Sequence, residues 1–381
     1  MRELVFIKTI TALNPIKDAD MIEEAIIDNG WPVVVKKGEF KVGDKCVFFE
    51  IDSLLPISDP RFKFLEKGAK EYNGVLAARL RTVRLKKTLS QGLALPLTDF
   101  PELATSKDYA ATLKVVKYVD PNEVEPEVRV LTWRDTLLKY LPVFIRKRVY
   151  KYLFQKTSGS FPSCIKRSDQ ERVQNFSRFF ENEENLDQKY EITIKEDGSS
   201  LTCYRNGNEI GVCSRNLTVW KEKIGFWSFL GKKKSIHNEW YDIAYEKGLV
   251  AAVKKLGKNI AVQGEFIGPK KNGNRAQRKE HDIYIFDIWD IDAQKYVGVE
   301  EREAIVKQLE DLGYKGKHVY QVAVGTLKEL DLDTIPKLLN LAAITKFPGI
   351  EHRIEGIVVK RWDGAVSFKA ISNEYLIKHN L

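Results

Sequence analysis

Cysteine and histidine are scarce in this chain of 381 residues, which has only Cys46, Cys164, Cys203, Cys213 and five histidines. No two cysteines have CxxC spacing, so neither a structural zinc site nor a dithiol redox motif is expected. Cys203 and Cys213 flank a turn at Asn206-Gly207-Asn208 and would face each other across a hairpin, where a reduced pair is the expectation. No apolar run is long enough to span a bilayer, and Arg2 and Glu3 place charges where a signal peptide needs an apolar core. A soluble, intracellular protein with no membrane partner is therefore expected. The chain also lacks a P-loop and any internal repeat, so bound phosphate has to be held by side chains.

Core material is ample, with 43% apolar and 11% aromatic residues, in a chain too long for one typical domain. Lys and Arg (62) exceed Asp and Glu (53), giving a formal charge of +9, which permits a polyanionic partner such as nucleic acid without requiring one. Residues 1–100 read as short strands at 4–10, 31–35, 45–51, 75–85 and 92–97, with turns at Lys37-Gly38 and Gly43-Asp44 and a short acidic-start helix over 18–27. That content fits a compact barrel of the OB type, which binds oligonucleotides, or an SH3-like barrel. Within it, Arg79, Arg81, Arg84, Lys86 and Lys87 interleave with apolar residues. The pattern suits either a phosphate-tracking strand or a solvated sheet face with edge-protecting charges.

Residues 101–160 change character. Prolines at 101, 121 and 126 punctuate a polar stretch, and residues 132–155 turn helical, kinked at Pro142, with a basic second half interleaved with aromatics. An interdomain helix is expected there, followed by a linker at Thr157-Ser158-Gly159-Ser160. Beyond it, strands are expected at 190–195, 201–205, 209–214, 260–265, 283–289, 356–360 and 365–369, with amphipathic helices over 238–256 and 299–312. Without βαβ repetition the fold class is α+β: an OB-like barrel in 1–100, a linker with a basic helix in 101–160, and a mixed domain in 161–381.

The chemistry gathers at strand ends. Tyr190-Glu191-Ile192-Thr193-Ile194 delivers Lys195, followed by Glu196-Asp197-Gly198. A lysine fixed by a strand suits a nucleophilic amine, and a carboxylate two residues on can hold a hydrated metal beside a phosphate. Asp-Gly by itself is also a common hairpin turn. Five further signals follow in order: Ser214-Arg215, Gly264-Glu265, Tyr284-Ile285-Phe286-Asp287, Glu355-Gly356-Ile357-Val358-Val359-Lys360 and Phe368-Lys369.

In that order (KxDG, SR, GE, FD, EGxVxK, FK) the chain resembles the covalent nucleotidyltransferases, the superfamily of polynucleotide ligases and mRNA capping enzymes. DNA ligases and capping enzymes carry an OB domain after the last motif, whereas twelve residues follow Lys369 here and the barrel comes first. This layout, with the segment Arg167-Ser168-Asp169-Gln170-Glu171-Arg172-Val173-Gln174-Asn175, is similar to the OB-first ATP-dependent RNA ligases of the Deinococcus and Naegleria type. The resemblance implies an adenylyltransferase domain that seals RNA 3′-hydroxyl and 5′-phosphate ends or nicks. ATP and Mg2+ or Mn2+ would be the cofactors, RNA or an RNA-containing duplex the partner, and the monomer the working form. AMP would pass from ATP to Lys195, then to the RNA 5′-phosphate.

By the same resemblance Asp197 and Glu355 hold the metal through waters, Arg215 contacts phosphate or ribose, and Glu265 accepts from ribose hydroxyls. Phe286 stacks on adenine, with Tyr284 as the alternative, and Lys360 and Lys369 neutralise the α-phosphate and departing pyrophosphate. Arg79, Arg81, Arg84 and Lys86 are the expected nucleic-acid contacts. In related ligases the last motif is often Lys-x-Lys, but Ser367 and Ile371 flank Lys369 here. The second cation is missing or comes from elsewhere, Lys378 being one source. The alternatives are a DNA-preferring ligase, a GTP-dependent capping-type enzyme, and a non-catalytic OB-fold RNA-binding protein. The barrel-first layout argues against the first two, and the presence of Lys195, Asp197, Glu265, Glu355 and Lys369 against the third.

Overall fold

The computed structural model describes residues 4–28, 30–118, 158–219, 238–348 and 353–379. The helix expected over 132–155 lies outside the described residues. The N-terminal strands are β1 (Val5–Pro15), β2 (Ile22–Ile27), β3 (Trp31–Lys36), β4 (Lys45–Phe49), β5 (Ser53–Pro56), β6 (Lys70–Tyr72), β7 (Val75–Arg79), β8 (Thr82–Leu85), β9 (Thr88–Gln91), β10 (Leu93–Pro96) and β11 (Val116–Lys117). They form one sheet in the order β10-β4-β1-β2-β3, a second in the order β11-β5-β7-β6, and a two-stranded pair β8-β9. Strand alternation builds the core on both faces of β4. Cys46 and Phe48 pack in the cluster of Trp31 and Val33, while Val47 and Phe49 pack in that of Phe62 and Phe100.

The helix expected over 18–27 is instead strand β2. Ala25 and Ile27 are fully buried at a spacing of two, and β2 is hydrogen-bonded to β1 on one edge and β3 on the other. Pairing on both edges overrides an acidic start that resembles a helix N-terminus. The single strand expected over 75–85 divides at Leu80-Arg81, β7 pairing with β5 and β8 with β9. Because β11 pairs with β5, the barrel runs on to Lys117, past the expected boundary at residue 100.

The C-terminal strands are β12 (Ser158–Ser160), β13 (Glu171–Arg172), β14 (Lys189–Lys195), β15 (Ser199–Asn206), β16 (Glu209–Cys213), β17 (Leu217–Val219), β18 (Ile260–Ile267), β19 (Asp282–Asp290), β20 (Lys295–Tyr296), β21 (Lys317–His318), β22 (Gln321–Thr326), β23 (Gly356–Arg361) and β24 (Ser367–Ile371). One sheet follows β12-β17-β16-β15-β18-β19-β20, with β21 also on β19, and the other follows β13-β24-β23-β14-β22. The first is backed by the helices Glu239–Glu246, Leu249–Leu256 and Val299–Asp311, the second by the helix Ile335–Ile344. The one helix expected over 238–256 is two. Gly248 adopts φ 75°, and a Cβ there would stand 2.3 Å from the Gly313 carbonyl oxygen.

All four cysteines are free. Cys203 pairs with Val212 and Cys213 with Thr202, so the two thiols are one step out of register and do not face each other as expected. Burial pushes the Cys213 thiol up to about 12, which keeps it unreactive. No helix among the described residues is long and apolar enough to cross a membrane. The barrel docks on the second domain through the Arg172 guanidinium, 5.5 Å from the Trp31 ring, and through Leu89, which packs with Ile371, Leu376 and Ile377.

Candidate active site

The two C-terminal sheets meet where β14 runs into β15, and the turn between them is Glu196-Asp197-Gly198. Lys195 ends β14 opposite Gly356 on β23. Glu355 is thereby brought beside it, and the Lys195 Nζ to Glu355 Oε2 distance is 2.7 Å. Gly198 N–H donates to Glu265 Oε1 at 3.1 Å. A Cβ on Gly198 would lie 2.5 Å from the Phe266 carbonyl oxygen and 2.9 Å from Glu265 Cγ, so only glycine allows this approach.

A loop that sequence reasoning passed over, residues 268–281, closes on the same turn. Arg275 Nη1 and the Tyr375 hydroxyl each donate to Asp197 Oδ2 at 2.7 Å, and Asn272 Nδ2 donates to Oδ1 at 3.3 Å. Arg278 Nη2 reaches both oxygens of buried Glu196 at 3.3 Å. The one local sign is a run of asparagine and glycine. Asn272, Gly273 and Asn274 all have positive φ (40°, 72° and 46°), a conformation those residues tolerate.

All eight residues expected at the nucleotide (Lys195, Asp197, Arg215, Glu265, Phe286, Glu355, Lys360 and Lys369) line one cavity of about 750 Å³. Phe286 is the extra residue of a bulge, because Gln263 pairs with Asp287 while Gly264 pairs with Ile285, and the bulge aims its ring at the cavity. Tyr284 is buried with its ring 6.0 Å from that of Tyr320 and does not line the cavity. Lys360 is held from below: its Nζ lies 2.8 Å from Asp287 Oδ2 and donates to the Phe286 carbonyl at 2.8 Å. Beside it Arg302 makes a buried two-pronged pair with Glu191, at 2.8 and 2.7 Å.

A second cavity of about 760 Å³ lies between the domains, lined among others by Arg79, Lys117, Tyr118 and Arg172, and it shares Asp169, Arg215, Glu355 and Lys369 with the first. Arg215 Nη2 bonds to Asp169 Oδ1 at 2.9 Å. The Arg79 guanidinium lies 3.7 Å over the Tyr118 ring and 2.6 Å from Asp52 Oδ1. Arg81, Arg84 and Lys86 are exposed and line neither cavity, as does not Lys378. The cation nearest Lys369 in the strand register is Arg172, its partner in the parallel pairing of β13 with β24.

Burial disfavours the Lys195 ammonium, but Glu355, Glu265 and Asp197 outweigh it and hold the amine above its ordinary pKa. Burial pushes Glu265 up to about 8 and Glu196 up to about 7, despite Lys195 beside the one and Arg278 beside the other. Burial, with Lys195 and Arg172 nearby, brings Lys369 down to about 8. The two glutamates bind protons more tightly folded than unfolded, so as pH rises from their ordinary 4.5 towards 7 and 8 the folded state loses its advantage. Lys369 acts above that window: its folded pKa is depressed, so its own contribution grows as pH rises from about 8 towards 10.5, against the loss from buried thiols such as Cys46 and Cys213 above about pH 9. Thermal unfolding of the nucleotide-free, metal-free protein should therefore show stability falling from about pH 5 to about pH 8. Glu196→Gln and Glu265→Gln should each flatten the fall.

Among the described residues no three His, Cys, Asp or Glu converge tightly enough to bind a metal ion directly. Asp197 and Glu355 nevertheless supply oxygen donors at one cavity wall, a donor set that suits Mg2+ or Mn2+ carried with its waters.

Residues 4–97 match the family model of an OB-fold domain, and residues 188–371 match that of RNA ligase. Solved structures of Naegleria gruberi RNA ligase are 37% identical to the chain. An apo Asp→Ala mutant aligns with TM-score 0.76 over 100% of this chain and 98% of that one. A Lys→Ala mutant with ATP and Mn aligns with TM-score 0.75 over 99% of each, and the ligase with PPi with 0.75 over 100% and 99%. No curated protein sequence gives a significant match. An OB fold ahead of a two-sheet ligase domain, with a strand-end lysine in its cavity, defines a barrel-first polynucleotide ligase. The chain belongs to the RNA ligase family.

Proposed function

We propose that this ligase uses ATP and a divalent metal to join RNA 3′-hydroxyl and 5′-phosphate ends, carrying AMP on Lys195. The observation that carries the reading is the single cavity in which Lys195 stands with Asp197, Glu265, Phe286, Glu355 and Lys369. The relatives add support: mutants of the Naegleria enzyme are solved with ATP and Mn, and its mutated lysine and aspartate are two residues apart, as are Lys195 and Asp197.

In the first step Lys195 Nζ bonds to the α-phosphorus, and the bond to the pyrophosphate oxygen breaks. The amine must first shed the proton that Glu355, Glu265 and Asp197 hold on it. A hydrated Mg2+ or Mn2+ held by Asp197 and Glu355 would offset those carboxylates and the charge on the phosphate. Glu265, fixed through Oε1 by Gly198, keeps Oε2 for a ribose hydroxyl. Phe286 offers its ring to adenine, and Lys360 holds the bulge that aims it. Lys369, Arg172 and Arg215 carry positive charge to the junction with the interdomain cavity, where Arg79 and Lys117 meet the RNA backbone. AMP then passes to the RNA 5′-phosphate, and the 3′-hydroxyl displaces it to form the phosphodiester. Both cavities are completed by one chain, which supports action as a monomer, and the free cysteines fit an intracellular setting.

The test is covalent labelling with α-labelled ATP or GTP, followed by a chase onto nicked duplexes with RNA or DNA ends. Label from ATP that moves to 5′-phosphorylated RNA is expected. Label from GTP alone, or preferential sealing of DNA, would move the enzyme to another branch, and no label would leave a binding protein. Gly198→Ala should lose about 1–3 kcal/mol by overpacking and slow single-turnover labelling about 100-fold by displacing the turn.

A further inference from the structure

We infer that the helix Asn373–His379 couples docking of the barrel to the metal-facing carboxylates, with Tyr375 as a positioning residue for Asp197. The inference rests on the proposed roles of Asp197 and Glu355.

Three contacts of this short helix carry it. Its buried Tyr375 donates its hydroxyl to Asp197 Oδ2 at 2.7 Å, on the same oxygen that Arg275 engages. The start of the helix is tied to Glu355: Ser372 N–H donates to the Glu355 carbonyl at 2.9 Å, and Ser372 Oγ in turn caps Tyr375 N–H at 3.1 Å. The third contact is with the barrel. Ile371, Leu376 and Ile377 pack on Leu89, a residue of β9 whose neighbour Ser90 accepts from Val34 N–H of β3 at 3.0 Å.

One rigid element thus touches the Asp197 carboxylate and the backbone of Glu355, the two residues that would hold the metal waters, and its other side rests on the barrel. Arg275 can reach Asp197 from the loop alone, and Asn272 holds Oδ1 only at 3.3 Å. Among the described residues, the Tyr375 hydroxyl is the one bond that holds the Asp197 carboxylate from the helix side. Partners standing behind a ligand typically change metal affinity by 10- to 100-fold when removed. Displacing the barrel at Leu89 would move the helix, and the shift would reach Asp197 through Tyr375.

The test compares wild type, Tyr375→Phe, Leu89→Ala and the double variant as full chains. Mn2+ binding is read from the electron paramagnetic resonance signal of free Mn2+, and the metal dependence of lysine labelling from single turnovers. Circular dichroism confirms folding, and Leu89→Val replaces Leu89→Ala if the latter is unfolded. Tyr375→Phe should weaken Mn2+ binding about 10-fold, with the maximal labelling rate falling by less. Leu89→Ala, remote from the cavity, should weaken it in the same direction, and the double variant should be no worse than the more affected single. Unchanged Mn2+ affinity in Tyr375→Phe would overturn the positioning role. Additive effects, or a silent Leu89 variant, would overturn the coupling. Absence of lysine labelling in the wild type would instead strike the proposed function, while Mn2+ binding across the variants would still decide this inference.

Discussion

Lys195→Ala is expected to form no covalent nucleotide adduct and to lose overall RNA sealing by a factor on the order of 10⁶, the scale of removing a covalent nucleophile. Binding of ATP should survive, because Glu265, Phe286 and Lys369 line the cavity independently of the amine. RNA already bearing AMP on its 5′-phosphate should still be joined, since the lysine serves only to carry the nucleotide before that stage. Lys195→Arg separates charge from nucleophilicity. A guanidinium can keep the pair with Glu355, yet it stays protonated at any working pH and should be as inactive as alanine in labelling. A labelled Lys195→Ala protein would show that another side chain carries the nucleotide. The measurement is a denaturing gel with α-labelled ATP, beside a sealing assay on pre-adenylylated RNA.

Arg302→Ala should cost about 3–5 kcal/mol of stability, the scale of breaking a buried ion pair by removing one partner. Arg302 and Glu191 are 7% and 3% exposed and are joined by two bonds, so water does not replace the lost guanidinium. The damage would extend beyond stability. Glu191 lies on β14, four residues before Lys195 and opposite Lys360, and Lys360 and Arg302 both approach the Phe286 carbonyl. An uncompensated Glu191 would draw Lys360 away from Asp287 and release the bulge at Phe286. Replacing both partners, as in Glu191→Leu with Arg302→Met, should recover most of the stability but not the affinity for ATP. Denaturant unfolding and ATP titration check the two halves, and a stability loss under about 1 kcal/mol would place the pair among the weak ones.

The residues proposed for the chemistry were legible because each sits in or at the end of an apolar run. Lys195 closes β14, and Glu265, Phe286, Lys360 and Lys369 all fall within strands that alternation or continuous hydrophobicity revealed. What was not legible depends on distant pairing. Strand β2 looked helical because its burial is set by β1 and β3, not by its own acidic residues. The 268–281 loop reads as polar and irregular, and its grip on Asp197 and Glu196 spans about eighty residues of chain. The Glu191–Arg302 pair, 111 residues apart, has no local signature at all. Lys360 was expected on phosphate from its motif, and only the structure shows it anchored to Asp287 beneath the bulge.

The parallel pairing of Glu171 and Arg172 with Phe368 and Lys369 bears on how this enzyme can be divided. The ligase-family match begins at residue 188, but a fragment cut there would strip the edge strand from the sheet that carries Lys195. It would also lose Asp169 and Arg172 and bare a ladder of unpaired backbone groups, an invitation to aggregation. A cut that keeps both catalytic sheets whole is therefore expected to fall before Ser158, whose strand β12 pairs with β17, so that residues 158–187 stay with the catalytic half.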